Sequence, residues 1–201
     1  MYSGFLGSPD QVSIIQRLYR EYPSALRLVD PVMGDAGQMY PTYTPELCEA
    51  MGALADGADV LMPNLTEASI LTKRDYPGQD LDDAAVTELL DALLGLGAKN
   101  VVLKGIDHGD GKIINYVASA EKGAAEKVEL VHDKLPYMIH GTGDASRPHC
   151  AVRCWPAAAW PNRLGSRANS YVMRWKAPAI SRISRSVGSV SSSISVSSLR
   201  W

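Results

Sequence analysis

At 201 residues and 46% hydrophobic side chains, the chain is long enough for one domain with a buried core. Its formal net charge of −2 indicates no nucleic-acid partner, and no apolar run is long enough to predict a membrane span. Three cysteines are too few for a disulfide framework, so we expect a reducing, cytoplasmic location.

The hydrophobic pattern predicts an alternation of strands and helices. Strands are predicted over residues 1–6, 27–32, 59–62 and 100–103, and helices over residues 10–22, 45–55, from 66 onwards and 82–96. Residues 112–119 and 126–132 are predicted as antiparallel strands joined by a turn at Glu121-Lys122-Gly123. Together these elements predict an α/β sandwich with a mostly parallel central sheet.

Polar side chains follow several of the predicted strands. Asp30 and Asp35 flank a Pro-Val-Met-Gly segment after the second strand, and Lys104 follows the strand over residues 100–103. Ligands of such sheets bind at the carboxyl ends of the strands, so these residues are candidates for a site. The alternatives are simple Asp-Pro and Gly-Asp turns, and for Lys104 a solvated surface charge.

Two interpretations are open for Asn64 and Glu67, which lie three residues apart before a predicted helix. The structural one is a capping pair, in which each side chain bonds to the backbone of the other residue. The functional one has Glu67 supporting a metal-bound phosphate.

The segment Gly141-Thr142-Gly143-Asp144 has the pattern of a phosphate-binding loop. Its backbone N–H groups can turn towards an anion, and Asp144 can accept the proton of an attacking hydroxyl. An ordinary turn would also use these residue types. No Walker A loop and no dinucleotide fingerprint is present. The chain is therefore predicted to be a nucleotide-dependent phosphotransferase or another enzyme with a phosphate ligand.

Five motifs together resemble the ribokinase-like superfamily, and within it the bacterial pyridoxal kinases. They are Ser3-Gly4-Phe5-Leu6-Gly7-Ser8, Asp30-Pro31-Val32-Met33-Gly34-Asp35, Pro63-Asn64-Leu65-Thr66-Glu67-Ala68, Lys104-Gly105 and Gly141-Thr142-Gly143-Asp144. The resemblance implies a three-layer sandwich that uses MgATP to phosphorylate the 5′-hydroxymethyl group of pyridoxal, pyridoxine or pyridoxamine. It also implies a homodimer.

The same resemblance implies a role for each matching residue. Asp144 would be the catalytic base, and Gly141, Thr142 and Gly143 would form the anion hole. Phe5 would contact the substrate ring where many members of the family have a tyrosine.

The remaining matching residues would serve the nucleotide and its cations. Asp30 and Glu67 would lie near the phosphates and a cation, and Asp35 would lie near Mg²⁺. A monovalent cation is a further expected cofactor. Asn64 and Lys104 would lie along the nucleotide. Hydroxymethylpyrimidine kinases share two of the motifs and are the alternative, although they typically carry cysteine at the position of Asp144.

The part of the chain after Asp144 departs from this pattern. All 22 acidic residues lie at or before Asp144 together with 11 basic ones, which gives that part a net charge of −11. Nine basic residues and all four tryptophans follow it. We therefore divide the chain into a partial kinase domain, residues 1–145, and an aberrant tail, residues 146–201, which is predicted to be disordered.

A single-nucleotide deletion after the codon of Ala145 would explain the tail. With the lost base restored, residues 146–161 can be back-translated and read as an apolar, Ala- and Gly-rich helix of the kind that the family has there. A basic nucleic-acid-binding arm and a disordered Ser-rich linker are the alternatives. The family's opening strands are also expected before Met1, so this chain is predicted to be impaired or inactive, or a non-catalytic nucleotide-binding fragment.

Overall fold

Short strands and longer helices alternate along the chain. A computed structural model describes residues 1–134. The strands are β1 (Tyr2–Ser3), β2 (Leu28–Val29), β3 (Gly34–Asp35), β4 (Gln38–Met39), β5 (Val60–Leu61), β6 (Asn100–Ile106), β7 (Lys112–Ser119) and β8 (Gly123–Asp133). The helices are α1 (Pro9–Glu21), α2 (Pro45–Gly52), α3 (Leu65–Thr72) and α4 (Asp83–Leu94). None of these four helices is long and apolar enough to cross a bilayer.

Within the described residues, six strands form one sheet in the order β1-β2-β5-β6-β7-β8. The first four are parallel, and β7 and β8 are antiparallel to their neighbours. Each parallel step needs a crossover connection, and the four helices lie in these crossovers. The carboxyl ends of β1, β2, β5 and β6 therefore lie along one edge of the sheet.

Each helix begins at a residue whose side chain accepts a backbone N–H of the first turn. These N-cap residues are Ser8, Thr44, Asn64 and Asp82. Such a cap satisfies one of the backbone donors that a helix leaves free at its amino end. Two of the helices also have proline at a first-turn position, where the missing N–H costs nothing.

The two faces of the sheet have different partners. Val29, Leu61 and Val101 point into the main core, which includes side chains from all four helices. Their neighbours Val60 and Val102 point to the other face, into a smaller cluster that contains no helical side chain among residues 1–134. The α/β class and the mostly parallel sheet are confirmed. The described residues form the sheet and one helical layer of the predicted sandwich.

Several local predictions differ from the structure. The hairpin of β3 and β4 was not expected, because its turn uses Ala36 at φ 49° as well as Gly37 at φ 78°, and alanine seldom adopts positive φ. The strand predicted to end at Leu103 continues to Ile106 through an irregularity. Gly123, expected in a turn, is the first residue of β8.

The remaining predictions concern residues outside the described part of the chain. They are the boundary between residues 145 and 146, the Gly141 to Asp144 segment, and the shifted reading frame of the tail.

Candidate active site

Three of the predicted site residues lie at the carboxyl edge of the parallel strands. Asp30 directly follows β2, Asn64 follows β5 as the N-cap of α3, and Lys104 lies near the end of β6. Lys104 also forms a parallel bridge with Asn64, and its backbone N–H donates to the carbonyl of Pro63 over 2.9 Å. The carboxyl ends of neighbouring strands thus bring together residues that are far apart in the sequence.

Asp30 and Lys104 form a buried ion pair. The Lys104 Nζ lies 2.7 Å from the Asp30 Oδ1, so the lysine reaches from β6 across the end of β5 to the end of β2. The Asp30 side chain is fully buried, and that of Lys104 is 17% exposed. The hydroxyl of Tyr2 donates to the other carboxylate oxygen over 2.9 Å. Burial of a charge is tolerated here because each charge has its partner.

Asn64 and Glu67 form the capping box that one interpretation of the sequence predicted. The Glu67 N–H donates to the Asn64 Oδ1 over 2.8 Å, and the Asn64 N–H donates to the Glu67 Oε2 over 2.7 Å. Glu67 is nevertheless fully buried, and its Oε1 also accepts the Met33 N–H at 3.4 Å. The capping interpretation is confirmed, and the role of Glu67 towards a phosphate or cation stays a prediction.

The first turn of α3 also holds the hairpin of β3 and β4. The side-chain amide of Asn64 donates to the Gly34 carbonyl over 2.8 Å, and the Thr66 hydroxyl accepts the Gly37 N–H at the same distance. Asp35 is exposed on this hairpin, and its Oδ1 accepts the N–H of Ala36. Asp35 therefore lies on a hairpin whose backbone is hydrogen-bonded on both sides of it, at Gly34 and Gly37, to the first turn of α3.

Phe5 lies beyond the carboxyl end of β1. Its ring is 54% exposed and packs edge-on against Tyr43, with 5.6 Å between the ring centroids. Burial raises the pKa of the Tyr43 hydroxyl, although the N–H of Leu6, which donates to it, acts in the opposite direction. Tyr43 therefore stays protonated at neutral pH and presents Phe5 with an uncharged ring.

The carboxylates of the site do not form a ready metal cage. Among residues 1–134, no three His, Cys, Asp or Glu side chains lie close enough together to hold an ion. Asp30 and Glu67 instead have protein donors on their oxygens, from Lys104 and Tyr2 in one case and from backbone N–H groups in the other. Gly141, Thr142, Gly143 and Asp144 lie outside the described residues.

Three further residues of the site escaped the sequence analysis. Tyr2 and Thr66 carry ordinary hydroxyl groups, and nothing local distinguishes them. Asn115 lies on β7 and accepts the N–H of Gly105 over 2.8 Å. The sequence did contain a signal for Asn115, because Gly105 closely follows a predicted strand. A glycine within a strand pattern indicates a bulge, whose free backbone N–H needs an acceptor.

Comparison with known proteins identifies a family for this chain. A family model described as phosphomethylpyrimidine kinase matches residues 2–152. Pyridoxal kinase PdxY of Haemophilus influenzae (strain PittEE) is 35% identical over 109 residues, which are 52% of this chain and 36% of that protein. The chain spans less than half the length of the curated relatives that it matches.

Solved structures show the same fold. A Bacteroides thetaiotaomicron protein assigned as a phosphomethylpyrimidine kinase and crystallised with pyridoxal is 29% identical, with a TM-score of 0.67 over 76% of this chain and 55% of that one. An ADP complex of Bacillus subtilis pyridoxal kinase is 26% identical, with a TM-score of 0.59 over 71% of this chain and 52% of that one. The match to the family model covers most of the chain and includes every site residue described above, so the chain belongs to the phosphomethylpyrimidine kinase family.

Proposed function

We propose that the chain is part of an ATP-dependent kinase that transfers the γ-phosphate to the 5′-hydroxymethyl group of pyridoxal, pyridoxine or pyridoxamine. The observation that carries the proposal is the buried pair of Asp30 and Lys104 beside the capped turn of Asn64 and Glu67. An ammonium group held in place at this edge of a parallel sheet is suited to a phosphate ligand. Relatives named pyridoxal kinase support the choice of substrate.

We assign Lys104 and Asn64 to the nucleotide, and Asp30, Asp35 and Glu67 to its cations, Mg²⁺ and a monovalent ion. Mg²⁺ prefers oxygen ligands and commonly binds through one or two carboxylates, substrate phosphates and water. Asp35 is exposed on its hairpin, as a direct ligand of such an ion would be. The buried Asp30 and Glu67 already accept hydrogen bonds from protein donors, so they would act on a cation through their charge. When bound, Mg²⁺ neutralises the charge that develops on the phosphoryl group.

We assign the chemical step to Asp144, Gly141, Thr142 and Gly143. Asp144 takes the proton of the hydroxymethyl group as its oxygen attacks, and the three backbone N–H groups bind the transferred phosphoryl oxygens. The exposed ring of Phe5 packs against the pyridine ring of the substrate. We assign the reaction to the cytoplasm and expect a homodimer, which sedimentation would report.

A second candidate is phosphorylation of a hydroxymethylpyrimidine. The description of the family model favours it, because that description names a phosphomethylpyrimidine kinase. The two substrates are both aromatic nitrogen heterocycles with a hydroxymethyl group, so only turnover with each of them separates the two functions.

The test is release of ADP by the purified full chain with MgATP, in the presence of pyridoxal, of hydroxymethylpyrimidine or of neither. We expect pyridoxal to stimulate ADP release and Asp144→Ala to abolish that stimulation. Lys99→Met is the matched control, because Lys99 pairs with Asp59 at the opposite end of the sheet.

A second protein, with the reading frame restored after Ala145, separates damage from a wrong assignment. If only the restored protein phosphorylates pyridoxal, the assignment of substrate stands and the chain is an impaired copy. If neither protein does so while ATP still binds saturably, the chain is a nucleotide-binding fragment and the proposal is wrong.

A further inference from the structure

The strand that carries Lys104 contains a β-bulge opposite Asn115. Leu103 pairs with Tyr116, and Ile106 pairs with Ile114. Two residues of β6, Lys104 and Gly105, therefore face one residue of β7. A bulge of this kind bends the strand and redirects the side chains at that point, and such bulges are frequent next to active sites.

The bulge depends on two features of the sequence. Gly105 has φ 74°, a left-handed conformation that glycine adopts without strain. Its backbone N–H leaves the regular ladder and donates to the Asn115 Oδ1 over 2.8 Å. Asn115 is 9% exposed, and asparagine is disfavoured inside a strand, so its presence there needs a specific reason.

The bulge lies directly beside the ion pair of the candidate site. Lys104 precedes Gly105, its N–H bonds to the Pro63 carbonyl over 2.9 Å, and its Nζ lies 2.7 Å from the Asp30 Oδ1. The backbone of Lys104 is thus held on one side by Pro63. On the other side, the next peptide is held by Asn115.

We propose that Asn115 is a positioning residue that acts through Lys104. By accepting the N–H of Gly105, it maintains the bulge that directs the Lys104 ammonium group towards Asp30 and the nucleotide phosphates. The part of this inference that concerns the nucleotide rests on the proposed function, whereas the part that concerns the direction of Lys104 does not.

The test compares Asn115→Leu with Asn100→Leu in the full chain. Each substitution removes a side-chain hydrogen bond to the backbone, from the Gly105 N–H in the case of Asn115. In the control, the Asn100 Nδ2 donates to the Asp59 carbonyl over 2.8 Å at the other end of the sheet. Asn115→Asp keeps an oxygen acceptor in place. Asn115→Ala replaces Asn115→Leu if the latter does not fold.

The first readout is the rate at which acetic anhydride labels each lysine, measured by mass spectrometry without nucleotide. Asn115→Leu is expected to raise labelling of Lys104 about fivefold, the size of effect typical of a lost hydrogen bond. Labelling of the exposed Lys99 should not change. Asn115→Asp should keep the rate for Lys104 near that of the unmodified chain, and so should Asn100→Leu.

The second readout is the Kd for MgATP, measured by calorimetry. We expect Asn115→Leu to weaken binding about fivefold and Asn100→Leu to leave it unchanged. The two variants should lose a similar amount of thermal stability. If both variants leave Lys104 equally protected, Asn115 has a structural role alone and the proposal is overturned. If Lys104 is released but the unmodified chain binds no nucleotide, the positioning role stands and the proposed function fails.

Discussion

The ion pair between Asp30 and Lys104 gives a stability prediction with an internal control. Lys104→Met removes the ammonium group and leaves the Asp30 carboxylate fully buried. Loss of one partner of a buried pair costs about 3–5 kcal/mol. We expect a loss near 3 kcal/mol, at the lower end of that range, because the Tyr2 hydroxyl still donates to Asp30.

Lys99→Met is the matched change. Lys99 and Asp59 are also 2.7 Å apart, but the Lys99 side chain is 66% exposed, whereas that of Lys104 is 17% exposed. Asp59 also keeps the backbone N–H of Arg27 as a donor. Exposed pairs contribute about 0–1 kcal/mol, so this variant should lose little stability.

The assay is urea denaturation followed by far-UV circular dichroism, which gives the free energy of unfolding of each variant. The double variant of Asp30→Asn and Lys104→Met should lose less than the sum of its two single changes, because no charge is left unpaired. Equal losses for Lys104→Met and Lys99→Met, within about 0.5 kcal/mol, would show that burial does not set the strength of these pairs.

Two further predictions concern the hairpin and the core. Gly34→Ala should cost about 1–3 kcal/mol in urea denaturation, because an added Cβ would lie 2.4 Å from the Gln38 carbonyl oxygen. Gly52→Ala on α2, where the nearest atom is 3.7 Å away, should be neutral or stabilise by up to about 1 kcal/mol, and equal effects would contradict the steric argument. Burial raises the pKa of the Tyr19 hydroxyl, so the folded state favours its protonated form. The stability that this preference adds is complete below the pKa of the unfolded chain, near 10, and is lost as the pH rises through the pKa of the folded chain. Tyr19→Phe should therefore lose less stability than the unmodified chain between pH 9 and pH 11, which the same denaturation series would report.

Much of the fold could be predicted because the relevant signals are local. The helices begin where Ser8, Thr44 and Asp82 can cap them, and an apolar stripe marks α4. Strand lengths were less accurate: residues 27–32 were predicted as a strand, and only Leu28–Val29 pairs in the sheet. Proline after Asp30 ends the ladder early, and the pairing of neighbours sets the remaining bounds.

The candidate site was predicted in part. The positions of Asp30, Asn64 and Lys104 at one edge follow from the parallel order of their strands. Their contacts did not follow, since no sequence signal indicates that Lys104 crosses β5 to reach Asp30. The capping interpretation of Asn64 and Glu67 is confirmed, whereas the role of Glu67 towards a phosphate or cation stays a prediction.

The sequence by itself determined the α/β class, the alternation of elements and the residue types available at the carboxyl edge. These depend on periodicity and on caps that act within a few residues. The tertiary structure alone decided which charges meet, where the hairpin is anchored and how the bulge at Gly105 is held by Asn115. Each of those contacts joins segments separated by at least ten residues, and their energies depend on burial that only the assembled sheet provides.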